Sequence, residues 1–275
     1  MSKSISEYKK RCKRVINQYE FFAMRRTGHH AIMKWIFSQI EEPILFANDF
    51  YAEIFRGKEY RHGQWISEQP KEYGVIDNYS YNIEDAPIIN LDKILEKLDS
   101  RLMIVKPEKT IKIFIIRDPF NMMASRFKID QDKVTKITSP GVNINWTGNG
   151  VVERWCEYAQ EYLGMTNVIK DKIFINYNQW FVDEQYRRNI LSDLNLQVKL
   201  TTLLDVPRNG YGSSFDEMKF NGFGNKMKTL DRWHEFMNND SYINHISNQR
   251  LLSLAEKIYP ELTYNVKEKL ECRKK

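Results

Sequence analysis

The feature that most constrains this chain is the run Ile111-Lys112-Ile113-Phe114-Ile115-Ile116, β-branched and almost continuously apolar. Such a run reads as a strand buried on both faces, as in a parallel sheet covered by helices. Arg117-Asp118-Pro119 ends it, and the pattern predicts a helix from about Phe120 to Phe127. Further strands are predicted over Tyr19 to Met24, Ile44 to Ala47, Tyr79 to Ile83 and Lys172 to Tyr177. Between them Ala31, Ile32, Trp35, Ile36 and Ile40 share one helical face, and Ile94, Leu95 and Leu98 mark a helix across Leu91 to Leu102. Helices are also predicted over Val151 to Gly164, about Val182 to Leu194, and Tyr242 to Tyr259. Strands alternating with helices give an α/β class, with a mostly parallel central sheet flanked by helices.

A chain of 275 residues suits a single domain of this class, with residues 1–18 as a basic, peripheral N-terminal segment. Residues 50–78 read as a lid or substrate-side insertion, 131–150 as a loop, and the Gly/Asn-rich stretch 205–229 as a wrap over a site. Hydrophobic content of 42% with 28% charged residues, and only 12 Gly and 8 Pro, excludes a disordered, collagen-like or disulfide-scaffold chain. No apolar stretch approaches 18 residues and Met1 to Arg14 has no apolar core, so neither a membrane span nor a secretory signal is expected. Cys12, Cys156 and Cys272 are far apart, which fits a reduced, cytoplasmic setting without structural zinc. The net charge of +6 and pI near 9.0 suit an anionic ligand or nucleic acid, and equally a lysine-rich solvated surface. The run from Lys9 to Arg14 is a solvated helix face, an anion-steering patch or a localisation tag.

Two stretches carry chemistry. Arg25-Arg26-Thr27-Gly28-His29-His30 lies between a strand and a helix. Backbone N–H groups at such a turn and the helix N-terminus attract anions, Arg26 adds a guanidinium fork, and Gly28 permits close approach. There is no GxxxxGK[ST], which disfavours ATP or GTP chemistry. The second stretch is the 111–116 strand with Arg117-Asp118-Pro119 and, eight residues after the arginine, Ser125. Arg117 at the carboxyl end of a central strand stands where open α/β sheets bind ligands, and a hydroxyl two helical turns on is placed to share a phosphate with it. Taken singly, these are also an ordinary strand–helix turn and a structural salt bridge at a helix start.

In this order the two stretches resemble the sulfotransferase family that uses 3′-phosphoadenosine 5′-phosphosulfate (PAPS). Arg26-Thr27-Gly28-His29-His30 with Trp35 behind it is similar to that family's first motif, Ile113 to Phe127 to its second, and Ile173 to Tyr177 to its late strand. The resemblance implies a P-loop NTPase-like sulfotransferase fold. It also implies transfer of a sulfuryl group from PAPS to a hydroxyl of an unidentified acceptor, a glycan among the candidates, with release of adenosine 3′,5′-bisphosphate (PAP). The chemistry needs no metal, and nucleic acid is not an expected partner.

Carried over by position, Arg26 would act on the bridging oxygen of the 5′-phosphosulfate. Thr27, Gly28, His29 and His30 would cradle the 5′-phosphate, with Arg25 and Ala31 at the edges of the cradle. Arg117 and Ser125 would hold the 3′-phosphate. Lys226, Lys228 and Arg232 are the nearest match to the family's closing loop, although the wording differs. The family's hydroxyl residues are replaced here by His29 and His30, which still offer N–H donors. The general base has no obvious match. Glu84 and Asp85 after the third strand are the best placed, with His62 as the alternative, although an acidic pair before Pro87 also reads as a helix start. Trp65, Tyr79, Tyr81, Trp146 and Trp155 stack on an acceptor or fill the core. Two other functions fit the motifs less well: a kinase-like phosphotransferase, and a non-catalytic binder of anionic ligands or RNA.

Overall fold

The computed structural model describes residues 12–48, 64–65, 74–102, 105–131, 147–148, 150–199, 203, 213, 215–216 and 219–274. Six strands form one sheet: β1 (Arg14–Ala23), β2 (Ile44–Ala47), β3 (Gln64–Trp65), β4 (Val75–Glu84), β5 (Lys109–Ile116) and β6 (Lys172–Asn176). Their order is β3-β2-β4-β1-β5-β6. All neighbours are parallel except the short edge strand β3, which runs antiparallel to β2. The α/β class and the mostly parallel sheet are therefore as expected.

Side chains alternate along each central strand, so both faces are apolar. On one face Phe22, Ile83, Phe114 and Ile116 pack with helices α3 (Pro119–Gln131) and α4 (Gly150–Tyr162). On the other, Phe21, Ala23, Ile113 and Ile115 pack against α1 (His29–Phe37), α5 (Tyr177–Val182) and α6 (Glu184–Asp193). Helix α2 (Leu91–Leu102) connects β4 to β5, and α7 (Asp240–Ile246), α8 (Gln249–Ile258) and α9 (Pro260–Lys274) complete the chain.

Register is what builds the site. Ala23 of β1 lies opposite both Glu84 of β4 and Ile115 of β5, and Ile116 lies opposite Asn176 of β6. The residues just past these ends therefore line one carboxyl edge of the sheet, where ligands bind in open α/β folds. Helix α4 braces that edge: Trp155 Nε1 donates to the Arg117 carbonyl at 2.9 Å and the Tyr158 hydroxyl to the Ala23 carbonyl at 3.4 Å.

Several sequence expectations are corrected. The segment expected to be peripheral through residue 18 enters the sheet at Arg14, because Val15 and Tyr19 fill the two cores and Arg14 and Val15 pair with Val75 and Ile76. The same pairing starts β4 four residues before Tyr79. The helix expected from Val182 is preceded by α5, which Asn176 starts by accepting from the Asn178 N–H at 3.0 Å. The single helix expected from Tyr242 to Tyr259 is two, since Asn248 caps α8 through the Leu251 N–H at 3.1 Å. Most of 50–78, 131–150 and 205–229, with His62 and Trp146, lies outside the described residues. No described helix is long and apolar enough to cross a membrane.

Candidate active site

Chain direction reverses between β1 and α1 through two left-handed residues, Arg26 at φ 70° and Gly28 at φ 81°. A side chain at φ near +70° costs on the order of 1 kcal/mol, so the Arg26 backbone is held in place by its surroundings. Thr27 pins the turn by donating its hydroxyl to the Met24 carbonyl at 2.8 Å. Glycine is required at 28 on two counts, its φ and its space: a Cβ there would stand 2.2 Å from Cε2 of Tyr177. The first turn of α1 leaves the His29 and His30 N–H groups without intrahelical acceptors. The Ala31 N–H is already donated to the Gly28 carbonyl at 2.9 Å, so its backbone closes the turn and is not an open cradle donor as expected.

Five arginines converge behind this loop. Arg117, Arg126 and Arg232 are buried, and Arg25 and Arg26 are partly so. Arg117 donates to the carbonyls of Arg26, at 3.0 Å, and of Thr229, and its guanidinium lies 4.7 Å from the Tyr177 ring centroid. Arg232 donates to Ser125 Oγ at 3.2 Å and to Ser213, and pairs with Asp216 at 3.2 Å. Arg126 and Arg25 share Asp85. Three carboxylates, Glu84, Asp85 and Asp216, meet these guanidiniums. Asp118 turns away to cap α3 through the Asn121 N–H at 2.7 Å. Among the described residues the Nε–H groups of Arg26, Arg117, Arg126 and Arg232 are buried without a partner. Burial, then the charges of Arg232, Arg117 and Arg126, pushes Arg26 down to about 9. Burial and Arg117 push Arg232 down to about 10. Guanidiniums this close destabilise one another, and an anion among them relieves that cost.

The expected bases are differently employed. Glu84 accepts from His29 Nε2 at 3.0 Å and from Asn82 Nδ2 at 2.7 Å, and pairs with Arg25 Nε at 3.3 Å. Asp85 accepts from the Arg25 N–H at 3.0 Å and pairs with Arg25 and Arg126. Burial works to raise both carboxyls, but His29 and Arg25 at Glu84, and Arg126 and Arg25 at Asp85, hold them below the ordinary range. A carboxylate so stabilised is a poor proton acceptor. The pair ties the anion loop to β4 and corrects the sequence reading of Glu84 and Asp85 as bases.

His29 and His30 stack with centroids 4.1 Å apart. His30 Nε2 lies 2.8 Å from Asn48 Oδ1, just past β2. Burial, then the neighbouring His29, pushes His30 down to about 4. His29, His30 and Glu84 offer ligand atoms within 4.8 Å of one another, but Glu84 already pairs with Arg25 and the surrounding guanidiniums repel a cation.

The structure thus joins Arg25, Arg26, Thr27, Gly28, His29, His30, Glu84, Asp85, Arg117, Ser125 and Arg232 in one cluster. Lys226 and Lys228 are not among them. Both are exposed, Lys226 with its ammonium 4.8 Å from the Phe223 ring centroid. Tyr79, Tyr81 and Trp155 are core residues. Sequence reasoning missed Arg126, whose signal is a charge inside the apolar stretch Met122 to Phe127. It also missed Asn48 and Asn82, which carry no local signal because they reach the site only through strand register, and it gave Tyr177 no role although that residue closes the late-strand motif.

No protein-family model matches the sequence, and no characterised protein matches it. Solved structures do resemble it. The sulfotransferase domain from the curacin biosynthetic pathway is 12% identical, with a TM-score of 0.46 over 90% of this chain and 98% of that one. Mouse sulfotransferase SULT7A1 complexed with PAP is also 12% identical, with a TM-score of 0.46 over 96% of this chain and 92% of that one.

Proposed function

We propose that this protein binds PAPS at the carboxyl edge of its sheet and transfers the sulfuryl group to a hydroxyl, releasing PAP. One observation carries the reading: buried arginines gathered behind a glycine-bearing strand–helix loop, four of them with an Nε–H that has no partner among the described residues. That arrangement suits a ligand with more than one anionic group, held by charge-assisted hydrogen bonds.

In this reading Arg26 faces the 5′-phosphosulfate and stabilises the charge that develops as the sulfuryl group leaves. Thr27, Gly28, His29 and His30 surround the 5′-phosphate with Arg25 locked behind them, and Ala31 closes the turn. Arg117, Ser125 and Arg232 take the 3′-phosphate, which displaces Asp216 from Arg232. Lys226 and Lys228, on the surface, steer the nucleotide rather than hold it. The acceptor, a glycan or another hydroxyl compound, approaches from the β2 and β4 side. The reading places the protein in the cytoplasm as a single-domain enzyme.

The test is incubation with PAPS carrying radioactive sulfur, alone and with a panel of sugars, oligosaccharides and phenols. The expected result is labelled product and PAP in equal amounts, unaffected by chelators. PAP binding with no sulfur leaving PAPS under any condition would make the chain a nucleotide-binding module instead.

A further inference from the structure

Sulfuryl transfer to an alcohol needs a group to take the alcohol's proton, and Glu84 and Asp85 are both committed to ion pairs. His30 is differently situated. Its Nε2 is within 2.8 Å of Asn48 Oδ1. An amide oxygen only accepts, so Nε2 carries the ring proton and Nδ1 carries the lone pair. Among the described residues no hydrogen bond reaches Nδ1. The ring also lies on the flank of the loop away from Arg117. Arg117 follows β5 on one flank of β1, whereas His30 reaches toward β4 and the end of β2 on the other.

Resting on the proposed transfer reaction, the geometry points to His30 Nδ1 as the general base that accepts the proton of the attacking hydroxyl. The acceptor oxygen forms the new S–O bond while its proton passes to Nδ1. The S–O bond to the 5′-phosphate breaks, and its electron pair stays on the phosphate oxygen beside Arg26. His29 would remain the structural partner, held between Thr27 and Glu84.

The surroundings make this base dependent on the donor. The charged groups around the ring are His29 and Arg26 of the loop and Glu84 of β4. Burial, His29 and Arg26 hold the free ring at about 4, too low for an effective base near neutrality. A donor in the loop sets negative charge against the imidazole. One such charge at about 4–5 Å, at an effective dielectric of about 20, raises the ring by roughly two and a half to three units. Proton abstraction is thereby switched on when PAPS is bound.

The test is histidine NMR, practical because the chain has only five histidines. Ring resonances are followed against pH with and without PAP, and the His30 signal is assigned by its loss in His30→Gln. The expected result is an Nε2–H tautomer titrating near 4 in the free protein and at about 6.5–7 with PAP. His30→Gln keeps the backbone N–H that faces the 5′-phosphate and a side-chain donor toward Asn48, so PAP affinity is measured alongside and turnover is compared at saturating PAPS. Sulfate release from PAPS, with water standing in for the acceptor, should fall by about a hundredfold or more and lose its acid limb. An Nδ1–H tautomer, or a signal that PAP does not move, would overturn the assignment, as would a His30→Gln variant with wild-type turnover and pH profile. Failure of the wild-type protein to bind PAP at all would instead sink the transfer reaction itself, and this assignment with it.

Discussion

Tyr177 lies across Gly28, its Cε2 2.2 Å from where a Cβ at 28 would stand. The first residue of α5 thereby fixes the height of the anion loop, and the same ring carries the Arg117 guanidinium on it. Gly28→Ala should lower the melting temperature by roughly 5 °C or more, from left-handed strain plus the clash, and abolish PAP binding. In a Tyr177→Ala background the same substitution should cost less, because only the strain remains. A Gly28→Ala protein that melts and binds like wild type would show that the ring does not press on the loop.

Arg117→Ala should weaken PAP by about tenfold or more while weakening 5′-AMP much less, since a charge-assisted hydrogen bond is worth roughly 1.5–3 kcal/mol. Calorimetric titration of both nucleotides reads this directly. Equal losses would mean that Arg117 serves only to join the carbonyls of Arg26 and Thr229.

Asp216 occupies Arg232 in this state, so a phosphate arriving there competes with it. Asp216→Asn is expected to tighten PAP by up to about fivefold, within the range of a partly exposed ion pair. Lys226→Ala and Lys228→Ala should each cost less than about twofold at moderate salt, because both side chains are exposed. A tenfold loss at either lysine would put that residue in the site.

Acid should destabilise the fold in two stages. His30 is lowered from 6.5 to about 4 by folding. The unfolded chain therefore binds more protons between those values, and up to about 3 kcal/mol of stability is lost as pH falls from 6.5 to 4. Glu84 and Asp85 are lowered from 4.5 and 3.8, so their contribution is present above about pH 4.5 and is lost below it. Chemical denaturation at stepped pH should show both stages. His30→Gln should flatten the upper stage and leave the lower. An upper stage unchanged in that variant would place the titrating group elsewhere.

Much of this was legible in the residues. The apolar run from Ile111 to Ile116 and the aromatic strand before Arg25 announce central strands, and the arginines at their carboxyl ends follow from chain direction alone. Arg26, Gly28, Arg117, Ser125 and Arg232 stand out in the sequence because each sits at a strand end, a turn or a matching motif, and the structure brings them to one edge of the sheet. What escaped depends on pairing across the sheet. Glu84 and Asp85 looked like free acids because their partners, Arg25 and Arg126, lie some 60 and 41 positions away. The extra length of β1 and β4 was hidden because polar Asn17 and Asn78 pair with each other at 3.1 Å within the sheet. Arg126 carried no assigned role in the sequence because its buried partner, Asp85, lies 41 positions away.

The central claim is that the arginine cluster is a site for a nucleotide phosphorylated at both the 3′ and 5′ positions. Calorimetric titration with PAP, beside 5′-AMP and ATP with Mg²⁺ at the same salt, tests it most directly. The account predicts micromolar binding of PAP and binding at least tenfold weaker for the other two. Strongest binding by ATP with Mg²⁺, or no heat from any of the three, would contradict it.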